Sequence, residues 1–140
     1  MSHSSLEGFI TNFCLPNLWI DHLSPPSNLV HSLLSHPGVY YTVGCHPHYS
    51  RELLVSRNYR LLEQILATAG PGCVAVGECG LDKSYKNKTP ISDQVESFSM
   101  QVKLAMKHKK PIVLHIRDAE KEGLEALKEV DLPSDWPLHR

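Results

Sequence analysis

The segment Ala75–Asp82, AVGECGLD, decides the fold of this 140-residue chain. It begins with small and β-branched apolar residues, passes through two glycines with Glu78 between them, and ends on an acidic side chain. An apolar run that ends in polar groups is typical of a buried strand in a parallel sheet, where the carboxyl ends of the strands line the active site. We therefore predict a parallel α/β fold with Glu78 near the functional edge of the sheet.

Three other apolar runs resemble this segment and recur along the chain at similar intervals. Together with Cys73–Cys79 (CVAVGEC), the predicted strands are Gly8–Leu15 (GFITNFCL), Val39–Cys45 (VYYTVGC) and Pro111–Ile116 (PIVLHI). All four contain β-branched or aromatic residues, and several are bounded by glycine or proline, as buried strands tend to be. The sequence thus predicts four strands.

Amphipathic helical patterns lie between the predicted strands. The first includes Leu29–Leu34, the second Leu61–Ala69, and the fourth runs from about Ala119 to Val130. The third begins after Thr89, predicted as its cap, with Pro90 at the first helical position. Alternating strands and helices indicate either a small open doubly wound sheet or part of a (β/α)8 barrel. Length alone favours the open sheet, because a whole barrel usually needs about 250 residues.

Composition indicates an ordinary globular protein that has no overall attraction for nucleic acid. Hydrophobic residues make up 41% of the chain, charged residues 21%, and the formal net charge is −1. A polyanion would therefore have to be bound by a local site. The four cysteines form no C-x-x-C pair, and no apolar run reaches the roughly 20 residues that cross a bilayer. We expect an intracellular protein of the nucleus or cytoplasm, without membrane association, whose reduced cysteines pack as small apolar residues.

Polar residues with ligand chemistry lie at the ends of three predicted strands. A carboxylate and an imidazole on neighbouring strand ends can coordinate a divalent cation, with a guanidinium nearby for a phosphate oxygen. Strand alternation predicts that Val74, Val76 and Glu78 share one face, as do Val113 and His115. The polar residues at these ends are, in chain order, His46, His48, Glu78, Asp82, His115 and Arg117.

Each of these residues also has an ordinary structural explanation. Glu78 is equally consistent with a salt-bridged carboxylate, and His115 alone is more often a core histidine than a ligand. The His46-Pro47-His48 segment is compatible with a simple turn, because proline restricts the chain there. The convergence of three strand ends on one chemistry favours the functional interpretation.

Three motifs together resemble the TatD family of metal-dependent deoxyribonucleases. They are GCHPH (Gly44–His48), AVGECGLD (Ala75–Asp82) and PIVLHIRDA (Pro111–Ala119), in that family's order and approximate spacing. The segment Leu81–Pro90, LDKSYKNKTP, is similar to the animal branch of TatD domain-containing proteins. The resemblance implies a partial (β/α)8 TIM barrel of the metallo-dependent hydrolase type, which overrides the length argument. It also implies phosphodiester hydrolysis in DNA or RNA with Mg²⁺ or Mn²⁺, Zn²⁺ being a further candidate.

The resemblance implies roles for individual residues. Glu78 and His115 match metal ligands of the family and are the expected catalytic residues. Asp82 is expected to support a ligand rather than to bind metal itself. The residues expected to hold the substrate phosphate are His46, His48 and Arg117.

The resemblance also implies a longer domain. The family's first strand carries an H-x-H pair and later strands carry further ligands, whereas this sequence has only His3 before the first predicted strand and ends at Arg140. We expect residues 1–140 to be a single incomplete TatD-type domain of about four βα units, truncated at both ends. We expect such a chain alone to be poorly soluble or oligomeric, because its sheet edges are open, and inactive as a nuclease.

The predicted function is that of a TatD-type deoxyribonuclease or exonuclease acting on nucleic acid. Two alternatives remain open: another amidohydrolase-like metal hydrolase acting on a C–N or ester bond, and a non-catalytic fragment that binds a partner. Cleavage assays with small amides and esters separate the first from a nuclease, and a metal titration separates the second.

Overall fold

A single parallel sheet forms the centre of the computed structural model, which describes residues 7–22 and 34–140. The strands follow each other across the sheet in chain order, and every neighbouring pair is parallel. Sequential order is that of a barrel, whereas a doubly wound sheet reverses its order at a switch point. The predicted partial barrel is therefore confirmed. Its strands are β1 (Phe9–Phe13), β2 (Val39–Val43), β3 (Cys73–Asp82), β4 (Ile112–Arg117) and β5 (Leu138–His139).

The strand count differs from the prediction by one. The short β5 pairs with the start of β4 through Leu138 and His139. Two residues are too few to show the apolar periodicity by which the other strands were identified. This strand is recognised only by its pairing with β4.

The helices agree with the sequence patterns where both can be compared. Ser56–Thr68 and Glu120–Glu129 confirm the second and fourth predicted helices, whereas nearly all of Leu29–Leu34 lies outside the described residues. No helix in the described part of the chain is both long and apolar enough to cross a bilayer. The helices are α1 (Pro16–His22), α2 (Ser50–Leu53), α3 (Ser56–Thr68), α4 (Ile91–Lys107) and α5 (Glu120–Glu129), and a 3₁₀ turn spans Pro47–Tyr49.

The start of α4 corrects the predicted cap. Pro90 is the capping residue and Ile91 the first helical one, and no side chain in the part of the chain that the structure describes caps this helix. The hydroxyl of Thr89 instead donates a 3.0 Å hydrogen bond to the carbonyl of His48. Thr89 therefore ties the β3–α4 loop to the turn after β2, a contact between distant segments that a local capping pattern cannot show.

The apolar core lies between the sheet and the helices that cover it. Val43, Val76 and Ile112 on three adjacent strands are 0% exposed, as is Phe98 on α4. Burial of each such side chain contributes about 1.5–3 kcal/mol to folding. Cys45, Cys73 and Cys79 are buried free thiols in the same core, which confirms their predicted role as small apolar residues.

A register shift between β3 and β4 changes the face of the sheet on which the β3 side chains after Val76 lie. Relative to β4, β3 contains one extra residue between Val76 and Cys79. Both of these side chains are 0% exposed and belong to the core, although an odd number of positions separates them. The bulge therefore turns Glu78 to the face opposite Val76. The prediction that Val74, Val76 and Glu78 share one face is wrong, because strict alternation holds only for a regular strand.

Two glycines allow β3 to follow this path beside β4. The φ angles are +151° at Gly77 and +148° at Gly80, a region that L side chains rarely adopt. A Cβ atom would lie 2.5 Å from the carbonyl oxygen of Val113 at Gly77, and 2.0 Å from that of His115 at Gly80. The close approach of the two strands brings Glu78 to the same region as His115.

Candidate metal centre

Three side chains from consecutive strands meet at the carboxyl edge of the sheet. His46 follows β2, while Glu78 and His115 belong to β3 and β4. Each offers one potential ligand atom, and these atoms lie within 4.8 Å of one another. The structure thus brings together the two predicted ligands, Glu78 and His115, and places beside them a histidine predicted to contact phosphate.

Asp82 connects two imidazoles of this region. Its Oδ2 atom lies 2.9 Å from Nε2 of His115 and 3.0 Å from Nε2 of His48. Burial alone would raise the pKa of the Asp82 carboxyl, but hydrogen bonds donated by Ser84, His115 and His48 outweigh burial and hold this pKa well below its usual range. The carboxylate is therefore ionised at neutral pH and accepts a hydrogen bond from each ring.

The contact with Asp82 determines which nitrogen of His115 is available to a metal. Because Nε2 donates to Asp82, the lone pair of a neutral His115 ring lies on Nδ1. That Nδ1 atom lies 4.0 Å from Oε2 of Glu78. A carboxylate that accepts the second N–H of a metal-binding histidine is a common supporting arrangement. These donors therefore fit a divalent cation between Glu78 and His115.

His46 is arranged as a donor rather than as a metal ligand. Its Nδ1 accepts a 3.2 Å hydrogen bond from the backbone N–H of His48. Burial lowers the pKa of His46 to about 4, with further lowering by the neighbouring His115 and His48. The neutral ring with Nδ1 as acceptor carries its proton on Nε2, so His46 presents an N–H group to the site.

Two buried glutamines of α4 hold the strand ends in place. The side chain of Gln94 accepts from the N–H of Asp82 at 2.8 Å and donates to its carbonyl at 3.2 Å. Gln101 makes the equivalent pair with the N–H and carbonyl of Cys45, at 2.7 and 3.1 Å. Neither glutamine was predicted from the sequence as a site residue. The sequence feature that could have identified them is a pair of polar side chains, seven positions apart, on the apolar face of a predicted helix.

Arg117 lies at the same strand edge as Asp82. The two residues are register partners at the ends of β4 and β3, and the backbone N–H of Lys83 donates to the Arg117 carbonyl at 3.0 Å. The Arg117 side chain is exposed and has no hydrogen-bond or ion-pair partner within residues 7–22 and 34–140. In contrast, His48, the other predicted phosphate contact, is already bound to Asp82 through Nε2.

Comparison with known sequences identifies similar nucleases. The profile of the family described as TatD related DNase matches residues 8–140. The human 3'-5' RNA nuclease TATDN2 is 39% identical over 134 residues, which are 96% of this chain and 16% of that protein. The 3'-5' ssDNA/RNA exonuclease TatD of Klebsiella pneumoniae (strain 342) is 38% identical over 106 residues, which are 74% of this chain and 38% of that protein.

Comparison with solved structures identifies the same fold. YJJV, a TatD homologue from Escherichia coli k12, superposes with a TM-score of 0.72 at 25% identity, covering 91% of this chain and 46% of YJJV. A hydrolase of the TatD family from Entamoeba histolytica gives a TM-score of 0.70 at 21% identity, covering 89% of this chain and 41% of that protein. The chain therefore spans less than half the length of each of these relatives.

Proposed function

This chain belongs to the TatD-related DNase family, and from this premise we propose that it acts in metal-dependent hydrolysis of phosphodiester bonds in nucleic acid. The observation that carries the proposal is the placement of Glu78 and His115 at one strand edge, with Asp82 holding the second nitrogen of His115. The activities named for the relatives, an RNA nuclease and an ssDNA/RNA exonuclease, support single-stranded DNA or RNA as substrate. We further propose that residues 1–140 belong to one hydrolase domain.

Glu78 and His115 are the proposed metal-holding residues. A carboxylate oxygen and an imidazole nitrogen suit Mn²⁺ or Zn²⁺, and Mg²⁺ would depend more on oxygen ligands and its own waters. A divalent cation bound there would polarise a phosphoryl oxygen and increase the acidity of a water molecule. Asp82 is proposed to fix the orientation of His115 and not to contact the cation.

His46 and Arg117 are the proposed phosphate contacts. The Nε2–H group of His46 can donate to a phosphoryl oxygen, and the Arg117 guanidinium can donate two parallel hydrogen bonds to the same group. His48 is proposed to act from the rim, where its ring contacts both His46 and Asp82. Placement of donors where negative charge develops is a large contribution to phosphoryl-transfer catalysis.

Metal titration of the whole chain tests the ligand assignment. We expect Glu78→Gln and His115→Ala each to weaken Mn²⁺ binding about ten-fold or more in isothermal titration calorimetry, as loss of a metal-site residue does. Glu129→Gln is the matched control, because Glu129 is an exposed carboxylate at the end of α5. Unchanged Mn²⁺ affinity in Glu78→Gln would contradict the assignment.

A cleavage assay tests the reaction itself. The chain is incubated with end-labelled single-stranded DNA and RNA in Mn²⁺ or Mg²⁺, alongside small amide and ester substrates. Because residues 1–140 alone are expected to be inactive, the assay also includes a longer chain that adds a first strand bearing H-x-H and the remaining strands of the family's barrel. Metal-dependent cleavage of the oligonucleotides by this longer chain, abolished by Glu78→Gln, is the expected result. Hydrolysis of only the small amides or esters would support a different metal hydrolase, whereas metal binding without any hydrolysis would support a binding role.

A further inference from the structure

The loop between β3 and α4 presents an exposed tyrosine and two lysines beside the candidate metal centre. Tyr85 is 79% exposed, the highest value among the exposed large hydrophobic side chains of the described residues. The Lys86 Nζ atom lies 5.8 Å from the centroid of the Tyr85 ring, and Lys88 Nζ donates to the Tyr85 carbonyl at 3.3 Å. The loop begins directly after Asp82, whose carboxylate contacts His48 and His115, so the loop adjoins the edge at which the site residues meet.

The backbone of this loop is fixed even though Tyr85 projects into solvent. The N–H of Ser84 donates to Oδ1 of Asp82 at 2.8 Å, and the side chain of Asn87 donates to the Asp82 carbonyl at 2.7 Å. At the far end, the Thr89 hydroxyl binds the His48 carbonyl at 3.0 Å. The loop backbone that carries Tyr85 is thus held by Asp82 and His48, which also belong to the candidate centre, so little backbone ordering is required when a ligand binds.

The two lysines provide a local positive charge that no carboxylate of the described residues neutralises. Lys83, at the start of the loop, is paired with Glu122 at 2.7 Å. In contrast, Lys86 and Lys88 are exposed and have no ion-pair partner among residues 7–22 and 34–140. The chain has a formal net charge of −1, so it has no overall attraction for a polyanion. A local group of positive charges such as these two lysines can provide that attraction.

We propose that Tyr85, Lys86 and Lys88 form a binding platform for single-stranded nucleic acid next to the metal centre. The ring of Tyr85 stacks on one base, and the two ammonium groups contact the adjoining phosphates, as on other single-strand surfaces. A base in a duplex is stacked on its neighbours and cannot offer its face to Tyr85, so the platform selects single strands. This inference rests on the proposed function, to which it adds the residues that bind the single strand.

Binding measured without metal tests the platform separately from catalysis. Fluorescence anisotropy of a labelled 12-nucleotide single strand is followed with the whole chain in EDTA. We expect Tyr85→Ala to weaken binding about ten-fold, in the range of base–aromatic stacking, and Tyr85→Phe to change it less than about two-fold because the ring remains. A strand with abasic positions should bind wild type and Tyr85→Ala alike.

The lysines are tested by the salt dependence of binding. Replacement of Lys86 and Lys88 by alanine should reduce the slope of log K against log salt by about 1 to 2. The matched control replaces Lys121 and Lys128, two exposed lysines of α5, and should leave the slope unchanged. Thermal unfolding by circular dichroism should be the same for all variants, since the replaced side chains are exposed.

The outcomes separate the platform from the proposed catalytic function. Equal single-strand affinity of Tyr85→Ala and wild type, equal affinity of wild type for duplex and single strand, or no wild-type binding would each overturn the platform. These results would leave the function intact if Glu78→Gln still abolished cleavage. Weaker binding by Tyr85→Ala together with cleavage that does not depend on Glu78 would support the platform and reject the proposed function.

Discussion

At the scale of single residues, Asp82 joins two histidines at the candidate centre. Its side chain, 3% exposed, holds the Nε2 atoms of both His48 and His115. The second nitrogen of His115 is thereby directed to Glu78. The sequence suggested a supporting role for Asp82 only through a family resemblance, and the structure supplies the contacts on which such a role depends.

The first prediction concerns removal of the Asp82 charge. Asp82→Asn should weaken Mn²⁺ binding about 10- to 100-fold, because the amide no longer fixes the orientation and protonation of His115. Loss of charged hydrogen bonds at a buried position should also lower the free energy of unfolding by about 1–3 kcal/mol. Calorimetry and urea denaturation measure the two effects.

Asp93→Asn is the control for this variant. Asp93 pairs with Arg51 at 2.7 Å, and the Arg51 side chain is 69% exposed, so this ion pair should contribute little to stability. Mn²⁺ affinity should be unchanged in the control. Wild-type Mn²⁺ affinity in Asp82→Asn would show that the carboxylate does not organise His115 for metal binding.

At the level of secondary-structure elements, β3 determines where the site residues point. Its bulge moves Glu78 away from the face that Val76 occupies, and Gly80 allows β4 to pass closely enough to bring His115 alongside. From α4, the side chains of Gln101 and Gln94 form hydrogen bonds with the backbone at the ends of β2 and β3. The candidate centre therefore depends on how β3, β4 and α4 pack together, and not on one sequence motif.

The second prediction concerns this strand contact. Gly80→Ala would place a Cβ atom 2.0 Å from the His115 carbonyl oxygen, at a φ of +148° that alanine rarely adopts. The strands must move apart, so we expect a loss of at least about 2 kcal/mol in the free energy of unfolding, together with weaker Mn²⁺ binding. Urea denaturation and calorimetry measure these changes.

Gly70→Ala provides the matched control, because a Cβ atom there would meet no atom of residues 7–22 and 34–140 within 4 Å. This variant should have wild-type stability within about 0.5 kcal/mol or be slightly more stable. If Gly80→Ala were as stable as Gly70→Ala, the close approach of β3 and β4 would not be essential to the fold.

At the level of the whole molecule, the edges of the sheet carry exposed apolar side chains. Phe9 and Ile10 on β1 are 51% and 59% exposed, and Leu138 on β5 is 46% exposed. Within residues 7–22 and 34–140, neither β1 nor β5 has a second neighbouring strand. Unpaired apolar edge strands are surfaces on which other chains can pair.

The third prediction concerns association through these edges. We expect the chain to form oligomers at micromolar concentration, and Ile10→Lys to shift it towards monomer, because a charged side chain disfavours edge pairing. Size-exclusion chromatography with light scattering measures the masses. Leu124→Lys is the control, since Leu124 is 55% exposed on α5 and away from the sheet edges. A wild-type chain that stays monomeric at all concentrations would contradict this expectation.

Local patterns in the sequence determined the fold class and the candidate residues. The apolar runs, the helical periodicity and the polar groups at strand ends are properties of neighbouring residues, so they indicated a parallel α/β fold and drew attention to Glu78, Asp82 and His115. The choice of a barrel over an open sheet depended on the resemblance, and the sequential strand order then confirmed it.

Only the tertiary structure decided how the site residues meet. The face of Glu78 depends on the register of β3 against β4, the contacts of Asp82 join residues more than thirty positions apart, and Gln94 acts on a strand from a helix. The two-residue β5 likewise exists only through its pairing with β4. These features arise from hydrogen bonds and close approaches between segments that are distant in the chain, and local periodicity carries no information about them.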